Sequence, residues 1–401
     1  MKKIASQILI LLFSFTLVSC SDSSSSFVQV KNPTGDNSSL PRLFTDNTGL
    51  VYLSWVEQIE DSATLFYSTF DGEIWSEPDI ISASSDWFVN WADFPSVIGQ
   101  NGSALASHWL AKTPGGTYSY NVEVSIKKAS KLWNEPIVPH SDNTPTEHGF
   151  VSMIPYSDSS FYAIWLDGRN TTGGHGGHGD LSTAMTLRGA EISYLGKLLN
   201  EHELDNAVCD CCNTSLINIG DDLLAVYRNR TAEETRDIYV KKFSNGEWGD
   251  EKAVNADNWS IASCPVNGAM IDYKDGLTAV AWFTGADNKP MAKLSFSKDK
   301  GDSFLEPIVV DSSSNLGRVD VLIENNESAW VSWITRNEEG ATLNLDLVST
   351  SGKILQSHQI AEINPSRRSG FPQITKLNKG LLIAWTDIQD ENKSVKTVIL
   401  E

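Results

Sequence analysis

Short apolar segments that end in an aromatic residue recur seven times along the chain. They span residues 50–55, 104–109, 161–165, 223–227, 278–282, 329–333 and 381–385, and six of the seven end in Trp. Successive closing aromatic residues lie 51 to 62 residues apart. A period of this length is typical of an array of similar supersecondary units, so we expect a repeat fold.

The first repeat predicts four short strands, at residues 41–44, 50–55 and 65–70 and from Trp75 onward. β-Branched and aromatic residues separated by Gly, Asp and Asn favour strands joined by tight hairpins. The other repeats show the same order of apolar stretches, without a long amphipathic helix. We therefore predict an all-β fold, a β-propeller of seven four-stranded antiparallel blades, with a six-bladed ring containing one degenerate repeat as the alternative.

The last repeat supplies only three strands, near residues 373–377, 381–385 and 395–400. An isolated apolar stretch lies at residues 27–30, ahead of the first repeat. Since a propeller ring must close, we predict that this N-terminal strand completes the last blade.

The N-terminus has the pattern of an export signal. Met1-Lys2-Lys3 is basic, and an apolar stretch over residues 8–18 is too short to span a bilayer. It leads into Leu17-Val-Ser-Cys20, which resembles the bacterial lipobox, whereas an ordinary secretory signal is the alternative. The predicted organisation is a lipoprotein signal peptide (1–19), a lipidated Cys20 with a Ser-rich tether (20–26) and one propeller domain (27–401). We expect a protein of the cell envelope, held at the outer membrane by its lipid anchor alone.

Net charge narrows the choice of partners. The formal charge is −20 and the estimated pI is 4.7. Phosphate backbones require a basic surface, so nucleic acid is excluded as a partner. We expect a monomer without a cofactor.

The arginines concentrate on one face of the predicted propeller. In a blade the first strand crosses the ring and the second returns, so first-strand starts and second-strand ends share a face. Eight of the ten arginines after residue 26 fall at these positions: Arg42, Arg169, Arg228, Arg230, Arg318, Arg336, Arg367 and Arg368. Guanidinium groups bind carboxylate, sulfate and phosphate through paired hydrogen bonds. We predict an anion-binding pocket, with Arg42, Arg169, Arg228, Arg230, Arg318 and Arg368 as its ligand-binding residues.

Ion pairing between blades is the alternative role for these arginines. Seven carboxylates map to the same face: Asp93, Glu147, Asp167, Asp210, Asp287, Asp320 and Asp387. Such pairs would stabilise the ring without binding a ligand.

One turn carries a family resemblance. Ser297-Lys-Asp299-Lys-Gly301-Asp-Ser-Phe304 resembles the Asp-box, or bacterial neuraminidase repeat, and 68–75 is a looser version. Over most of its length the chain resembles the sialidase-like propellers, with Cys209-Asp-Cys-Cys212 and Cys264-Pro-Val-Asn-Gly268 typical of a bacterial secreted branch. Asp-boxes also occur in propellers that are not sialidases.

The resemblance implies an exo-glycosidase that acts on an anionic sugar of the sialic acid type. Three arginines of such enzymes hold the substrate carboxylate, and Arg42, Arg228 or Arg230, and Arg318 are the first assignment. Asp93 and Asp320 are the candidate catalytic carboxylates, with Asp93 as the acid. The family also uses a Tyr nucleophile paired with Glu. No Tyr lies near the start of the last repeat's first strand, where this nucleophile is sought.

Four cysteines cluster ahead of two neighbouring first strands: Cys209, Cys211, Cys212 and Cys264. In an oxidising compartment we expect disulfides, with a bridge from Cys264 to one of the other three. A soft-metal site is the alternative, to which His148, His175 and His178 could contribute. Three functions therefore compete: a carbohydrate-directed enzyme, a non-catalytic glycan- or protein-binding propeller, and a metal or redox protein.

Overall fold

The computed structural model describes residues 27–128, 132–171 and 180–401. The predicted signal peptide, Cys20 and the tether lie outside these residues, as do His175 and His178. Seven separate antiparallel sheets follow one another as blades of a ring, which confirms the seven-bladed propeller and excludes the six-bladed alternative. No helix in the described part of the chain is long and apolar enough to cross a membrane.

The blades are numbered I to VII in chain order. Blade I contains β2 (Ser38–Thr45), β3 (Val51–Ile59), β4 (Ser62–Phe70) and β5 (Asp79–Ser84). Blade II contains β6 (Ser96–Gln100), β7 (Ser103–Lys112) and β8 (Tyr120–Ile126). Blade III contains β9 (His148–Pro155), β10 (Ser160–Asp167), β11 (Met185–Ser193) and β12 (Leu198–Val208). Blade IV contains β13 (Ser215–Asn218), β14 (Leu223–Arg228), β15 (Ile238–Ser244), β16 (Glu247–Trp248) and β17 (Lys252–Ala253).

The remaining blades follow the same plan. Blade V contains β18 (Ala269–Lys274), β19 (Leu277–Thr284), β20 (Met291–Ser297) and β21 (Ile308–Asp311). Blade VI contains β22 (Asn315–Asn325), β23 (Ser328–Arg336), β24 (Ala341–Ser349) and β25 (Ile354–Ile363). Blade VII contains β26 (Gln373–Lys376), β27 (Leu381–Gln389), β28 (Asn392–Leu400) and β1 (Phe27–Gln29). Single 3-10 turns occur at Leu181–Thr183, Ala286–Asn288 and Arg367–Ser369.

Two blades show how the ring is completed. In blade VII the N-terminal β1 pairs antiparallel with the C-terminal β28, with Phe27 opposite Leu400, as the sequence predicts. In blade II the position of a fourth strand is occupied by isolated bridges, Val124 with Ile137 and Lys127 with Trp133.

The closing aromatic residues of the repeats pack between blades. Trp55, Trp165 and Trp282 are almost completely buried. Trp165 of blade III, for example, belongs to the same apolar cluster as Val122 and Val124 of β8 in blade II. The repeated pattern in the sequence is therefore a pattern of contacts between neighbouring sheets.

The pairing registers define two faces of the ring. His148, at the start of β9, is paired with Asp167, at the end of β10. First-strand starts and second-strand ends therefore share a face, here named the upper face. The turn at 297–303 lies at the opposite end of its blade, where Asp299 accepts hydrogen bonds from the Ser297 and Ser303 hydroxyls at 2.7 and 2.6 Å.

The first strands of the blades surround a narrow central channel. It encloses a cavity of about 50 Å³, and every blade contributes to its wall. The wall includes Arg42, Phe94, Phe150, Thr214, Met270, Val319 and Gln373.

Candidate functional site

Three arginines interact with one another on the upper face, and two of them are close in sequence to the channel-lining residues Val319 and Phe371. We name Arg318, Arg336 and Arg367 the mouth arginines. Arg318 lies at a register shift within β22 in a left-handed conformation, φ +56°, and its backbone N–H donates to Asn267 Oδ1 at 2.7 Å. Its Nη1 donates to the Ser369 hydroxyl at 2.7 Å and to the Ser366 carbonyl at 3.1 Å. These contacts aim the guanidinium toward the 3-10 turn that carries Arg367.

The mouth arginines lack acidic partners. Arg318 is only 5% exposed, and among the described residues no carboxylate forms an ion pair with any of the three. Burial, followed by repulsion from Arg367 and Arg336, lowers the pKa of Arg318 to about 10. A buried guanidinium surrounded by like charges is unfavourable unless an anion joins it.

An aromatic platform underlies these charges. The guanidinium carbons of Arg318 and Arg367 lie 5.3 and 5.8 Å from the centre of the Trp91 ring. Trp91 is stacked on Phe371 with ring centres 5.8 Å apart and an angle of 10° between the planes. Cations over an aromatic face are attracted by the ring quadrupole, so Trp91 holds both side chains in place.

Arg42 and Asp320 lie deeper in the channel region. Arg42 donates to Gln373 Oε1 at 2.5 Å and lies over Phe94, 5.8 Å from the ring centre. Asp320 accepts the backbone N–H of Ile374 at 2.8 Å, which connects blade VI to blade VII. Burial raises the pKa of Asp320 to about 6, although Arg42 opposes the shift. Asp320, which the sequence predicts as a catalytic carboxylate, thus accepts a hydrogen bond that joins two blades.

A second group of arginines belongs to the protein interior. We name Arg228, Arg230 and Arg236 the inner arginines, and each is at most 2% exposed. Arg228 donates to three backbone carbonyls, those of Arg236 at 2.6 Å, Phe283 at 2.7 Å and Asn267 at 2.8 Å. Glu234 pairs with both Arg230 and Arg236 at 2.8 Å.

The six arginines of the predicted ligand set therefore do not form one pocket. Arg228 and Arg230 are bonded to protein groups inside the wall. Arg169 pairs with Asp167 at 2.7 Å, and Arg368 pairs with Glu391 at 3.2 Å on the surface. Arg336 and Arg367, which the ligand set omits, stand instead beside Arg318. Sequence position places an arginine on the upper face, but its bonding partners decide its role.

A buried Tyr–Glu pair lies beside Asp93. The Tyr120 hydroxyl donates to Glu147 Oε1 at 2.5 Å, and Asp93 accepts the backbone N–H of Phe150 at 2.7 Å. Burial, reinforced by Glu147, raises the pKa of Asp93 well above its ordinary value, and burial raises the pKa of Glu147 to about 7. Burial also raises the pKa of Tyr120, which has no exposed surface.

Sequence reasoning missed Tyr120 because it sought the nucleophile at a first-strand start. Tyr120 begins β8, the third strand of blade II, and reaches the upper face from there. Glu147, immediately before β9, was the available signal. At this one position, the acidic residue ahead of a first strand accepts a hydrogen bond from a third-strand hydroxyl of the preceding blade.

The cysteines form one disulfide and one thiol pair. Cys211 is bonded to Cys264, with Cα atoms 6.0 Å apart, so the predicted bridge from Cys264 is present. The sequence also predicts that Cys209 and Cys212 form disulfides. The structure differs here, because both are buried free thiols, with their sulfurs 3.0 Å apart. Burial raises the pKa of Cys209, but the Cys212 thiol and the nearby Arg236 and Arg228 lower it to about 6. Arg236 Nη1 donates to Cys209 Sγ at 3.4 Å.

Two groups among the described residues have the side chains and spacing of metal ligands. One is Cys209, Cys211 and Cys212, of which Cys211 is already in the disulfide. The other is His140, Asp142 and His148, ahead of and within the start of β9. Burial and the neighbouring His148 lower the pKa of His140 to about 4, which keeps this imidazole neutral at pH 7.

Comparison with known proteins supports the fold alone. No family model matches the chain, and no curated protein matches it. Among solved structures, a puromycin hydrolase shares 11% identity at a TM-score of 0.55, over 91% of this chain and 52% of that protein. The polysaccharide lyase Uly1 shares 8% identity at a TM-score of 0.50, over 90% of this chain and 89% of that one.

Sialidases are also among the structural matches, at lower similarity. The Hadza microbial sialidase Hz136 shares 8% identity at a TM-score of 0.46, over 91% of this chain and 65% of that protein. The chain thus spans about half of the hydrolase and two thirds of this sialidase. Because a puromycin hydrolase and a polysaccharide lyase both occur among the matches, the fold does not select a reaction.

Proposed function

We propose that the protein recognises an anionic sugar at the mouth of its channel, through the mouth arginines and the Trp91 platform. The observation that carries this proposal is the group of three arginines, one of them buried, for which the described residues supply no acidic partner. A carboxylate would supply the missing negative charge and accept paired hydrogen bonds from a guanidinium.

The aromatic platform favours a sugar over a simple inorganic anion. Trp91 is partly exposed beside the charges, whereas Phe371 is buried against it, and the C–H groups of a sugar ring pack on an accessible aromatic ring. A carboxylated sugar therefore matches the mouth in its charge and in its contact with an aromatic ring. This reading agrees with the sialidase-like resemblance of the sequence, but it rests on the side chains described above.

Calorimetric titration with N-acetylneuraminic acid and its methyl ester tests the proposal, because the ester replaces the carboxylate with a neutral group and keeps the rest of the sugar. We expect the acid to bind and the ester to bind at least tenfold more weakly. Arg367→Ala should weaken binding of the acid by about tenfold or more, since a charged hydrogen bond contributes about 1.5–3 kcal/mol.

Arg368→Ala is the matched control, because Arg368 is the adjacent residue and pairs with Glu391. Its affinity for the acid should stay within about twofold of wild type, and circular dichroism should show both variants folded. Equal binding of acid and ester, or the same loss in both variants, would contradict the proposal.

Hydrolysis of the bound sugar is the second candidate function, favoured by the Tyr120–Glu147 pair beside Asp93. In a retaining mechanism Tyr120 would attack the anomeric carbon as Glu147 takes its proton, and protonated Asp93 would give a proton to the leaving oxygen. The raised pKa of Asp93 supports its protonated form. Tyr120 is fully buried, so turnover also requires the wall to open.

A fluorogenic sialoside separates binding from turnover. Hydrolysis by wild type, abolished in Tyr120→Phe with binding of the free acid retained, would support the catalytic role. Binding of the acid without hydrolysis of the sialoside would support recognition and contradict the catalytic role. The place of action in this proposal is the cell envelope, with Cys20 as the lipid attachment.

A further inference from the structure

A compact group of histidines and aspartates lies on the upper face between blades II and III. We name His140, Asp142, His148 and Asp167 the His–Asp cluster. His140 and Asp142 come from the segment between β8 and β9, while His148 begins β9 and Asp167 ends β10. All four are buried or nearly so, and the side chains of His148 and Asp167 have no exposed surface. The cluster is separate from the mouth arginines.

The donor atoms of the cluster are spaced like the ligands of one ion. Asp142 Oδ1 lies 3.0 Å from His140 Nδ1, and Asp142 Oδ2 lies 3.2 Å from His148 Nε2. His148 Nε2 is also 3.7 Å from Asp167 Oδ1. Ligands of tetrahedral zinc, at metal distances near 2.0–2.2 Å, are separated from one another by roughly 3.3 Å. The observed distances bracket that value.

The two ring nitrogens of His148 have different surroundings. Its Nδ1 faces two backbone carbonyls, of Thr146 at 3.2 Å and Tyr120 at 3.3 Å. Carbonyl oxygens only accept, so Nδ1 donates to them. Its Nε2 faces the carboxylates of Asp142 and Asp167, which Arg169 also contacts, at 3.6 Å from Asp142 Oδ1 and 2.7 Å from Asp167 Oδ1. Nε2 is thus the ring atom directed at the oxygen donors of the cluster.

This arrangement has the outer contacts of a metal site. Metal-bound histidines commonly donate their second ring N–H to a backbone carbonyl, as His148 does here. Asp167 is oriented by Arg169 and by the Trp165 indole, which donates at 2.9 Å. Asp142 is oriented by the backbone N–H of Thr144 at 3.1 Å. The cluster is thus fixed by surrounding groups rather than by its own members alone.

His140 lies directly against His148. It is 6% exposed, and its ring is stacked on that of His148, with centres 3.8 Å apart and an angle of 4°. Its Nδ1 is the ring nitrogen beside Asp142, whereas its buried Nε2 has no hydrogen-bond partner in the described part of the chain. Both rings contact the carboxylate of Asp142, so the three side chains form one group of nitrogen and oxygen donors.

We propose that the His–Asp cluster binds one divalent transition-metal ion of the zinc class, with His140, Asp142 and His148 as ligands and Asp167 as the fourth donor. Imidazole and carboxylate together suit zinc better than the hard ions calcium and magnesium, which prefer oxygen alone. The ion would fasten the segment between β8 and β9 to blade III.

The first test uses the wild-type protein, purified without chelator, loaded with Zn²⁺ and dialysed. We expect one zinc per chain by elemental analysis, with only nitrogen and oxygen neighbours in the X-ray absorption fine structure. The melting temperature should fall on removal of the metal and recover on its return. Absence of stoichiometric zinc, or a shell containing sulfur, would overturn the proposal.

Variants assign the ligands. His140→Ala and Asp142→Asn should each lower the zinc affinity by more than about 100-fold, which exceeds the usual loss on changing an outer contact. His202→Ala is the control, since His202 lies on β12 outside the cluster. A Cys209→Ser/Cys212→Ser double variant should still bind one zinc. Binding kept by His140→Ala and lost by the cysteine variant would place the metal at the thiols and refute this site.

Discussion

The mouth arginines and the inner arginines are two groups of three on the same face of one propeller, yet their surroundings are opposite. Among the inner arginines, Arg228 donates to backbone carbonyls, and Arg230 and Arg236 share Glu234. The mouth arginines have one another, Trp91 and no carboxylate among the described residues. Clustered arginines therefore do not by themselves indicate a binding site. A site is indicated where the protein leaves their charge unbalanced.

Asn267 connects the two groups. Its backbone carbonyl accepts two hydrogen bonds from Arg228, and its side-chain Oδ1 accepts the backbone N–H of Arg318. The disulfide partner Cys264 lies three residues before it. Arg228 thereby supports the segment that holds the backbone of Arg318.

The largest expected effect follows from removing the shared acid of the inner group. Glu234→Ala deprives Arg230 and Arg236 of their short ion pairs in the interior. We expect the free energy of unfolding to fall by about 3–5 kcal/mol, as when one partner of a buried pair is removed. Urea denaturation measures the change. Glu391→Ala, which removes the exposed partner of Arg368, is the control and should change stability by less than about 0.5 kcal/mol. An equally small effect of Glu234→Ala would show that the inner group is not structural.

A smaller loss is expected when the connection between the groups is cut. Cys264→Ser opens the bridge between Cys211 and Cys264, which are 53 residues apart. The free energy of unfolding should fall by about 2–4 kcal/mol. The affinity for N-acetylneuraminic acid, measured by calorimetry, should also fall, because the segment that contains Asn267 becomes less constrained. The reduced wild type should behave in the same way. Loss of stability with unchanged affinity would show that the inner group does not position the mouth.

The smallest effect on stability is expected at the mouth itself. Arg318→Met removes a buried charge that repels two neighbours but also removes two hydrogen bonds, so stability should change by about 1 kcal/mol or less. The variant should lose the rise in melting temperature that N-acetylneuraminic acid gives to wild type. Thermal scans with the acid and with its methyl ester measure this. A large destabilisation would place Arg318 with the inner group instead.

The fold was predictable because it depends on periodic burial. The seven aromatic-ended segments became second strands, and residues 27–29 completed the last blade. The upper face was predictable for the same reason, since strand order alone assigns its residues. Cys264 and the 209–212 segment were placed close together by that geometry, and a bridge joins them.

The grouping of side chains was not predictable in the same way. Strand order assigns both Arg228 and Arg318 to the upper face. Arg228 nevertheless donates to a backbone carbonyl of blade V, whereas Arg318 donates to the 3-10 turn before blade VII. Tyr120 reaches Glu147 from a third strand, and His140 comes from a segment outside the repeat. Such choices depend on side-chain direction and on connecting segments, which do not follow the period.

The closing strand has a consequence for how molecules of this protein meet one another. β1 is held to β28 by three residue pairs, and its own side chains are largely exposed. When β1 detaches, β28 becomes an unpaired sheet edge to which a strand of matching sequence can pair. The β1 strand of a second molecule has the same sequence and therefore fits this edge. Reciprocal exchange of this one strand would produce a dimer in which each propeller keeps the three residue pairs between β1 and β28.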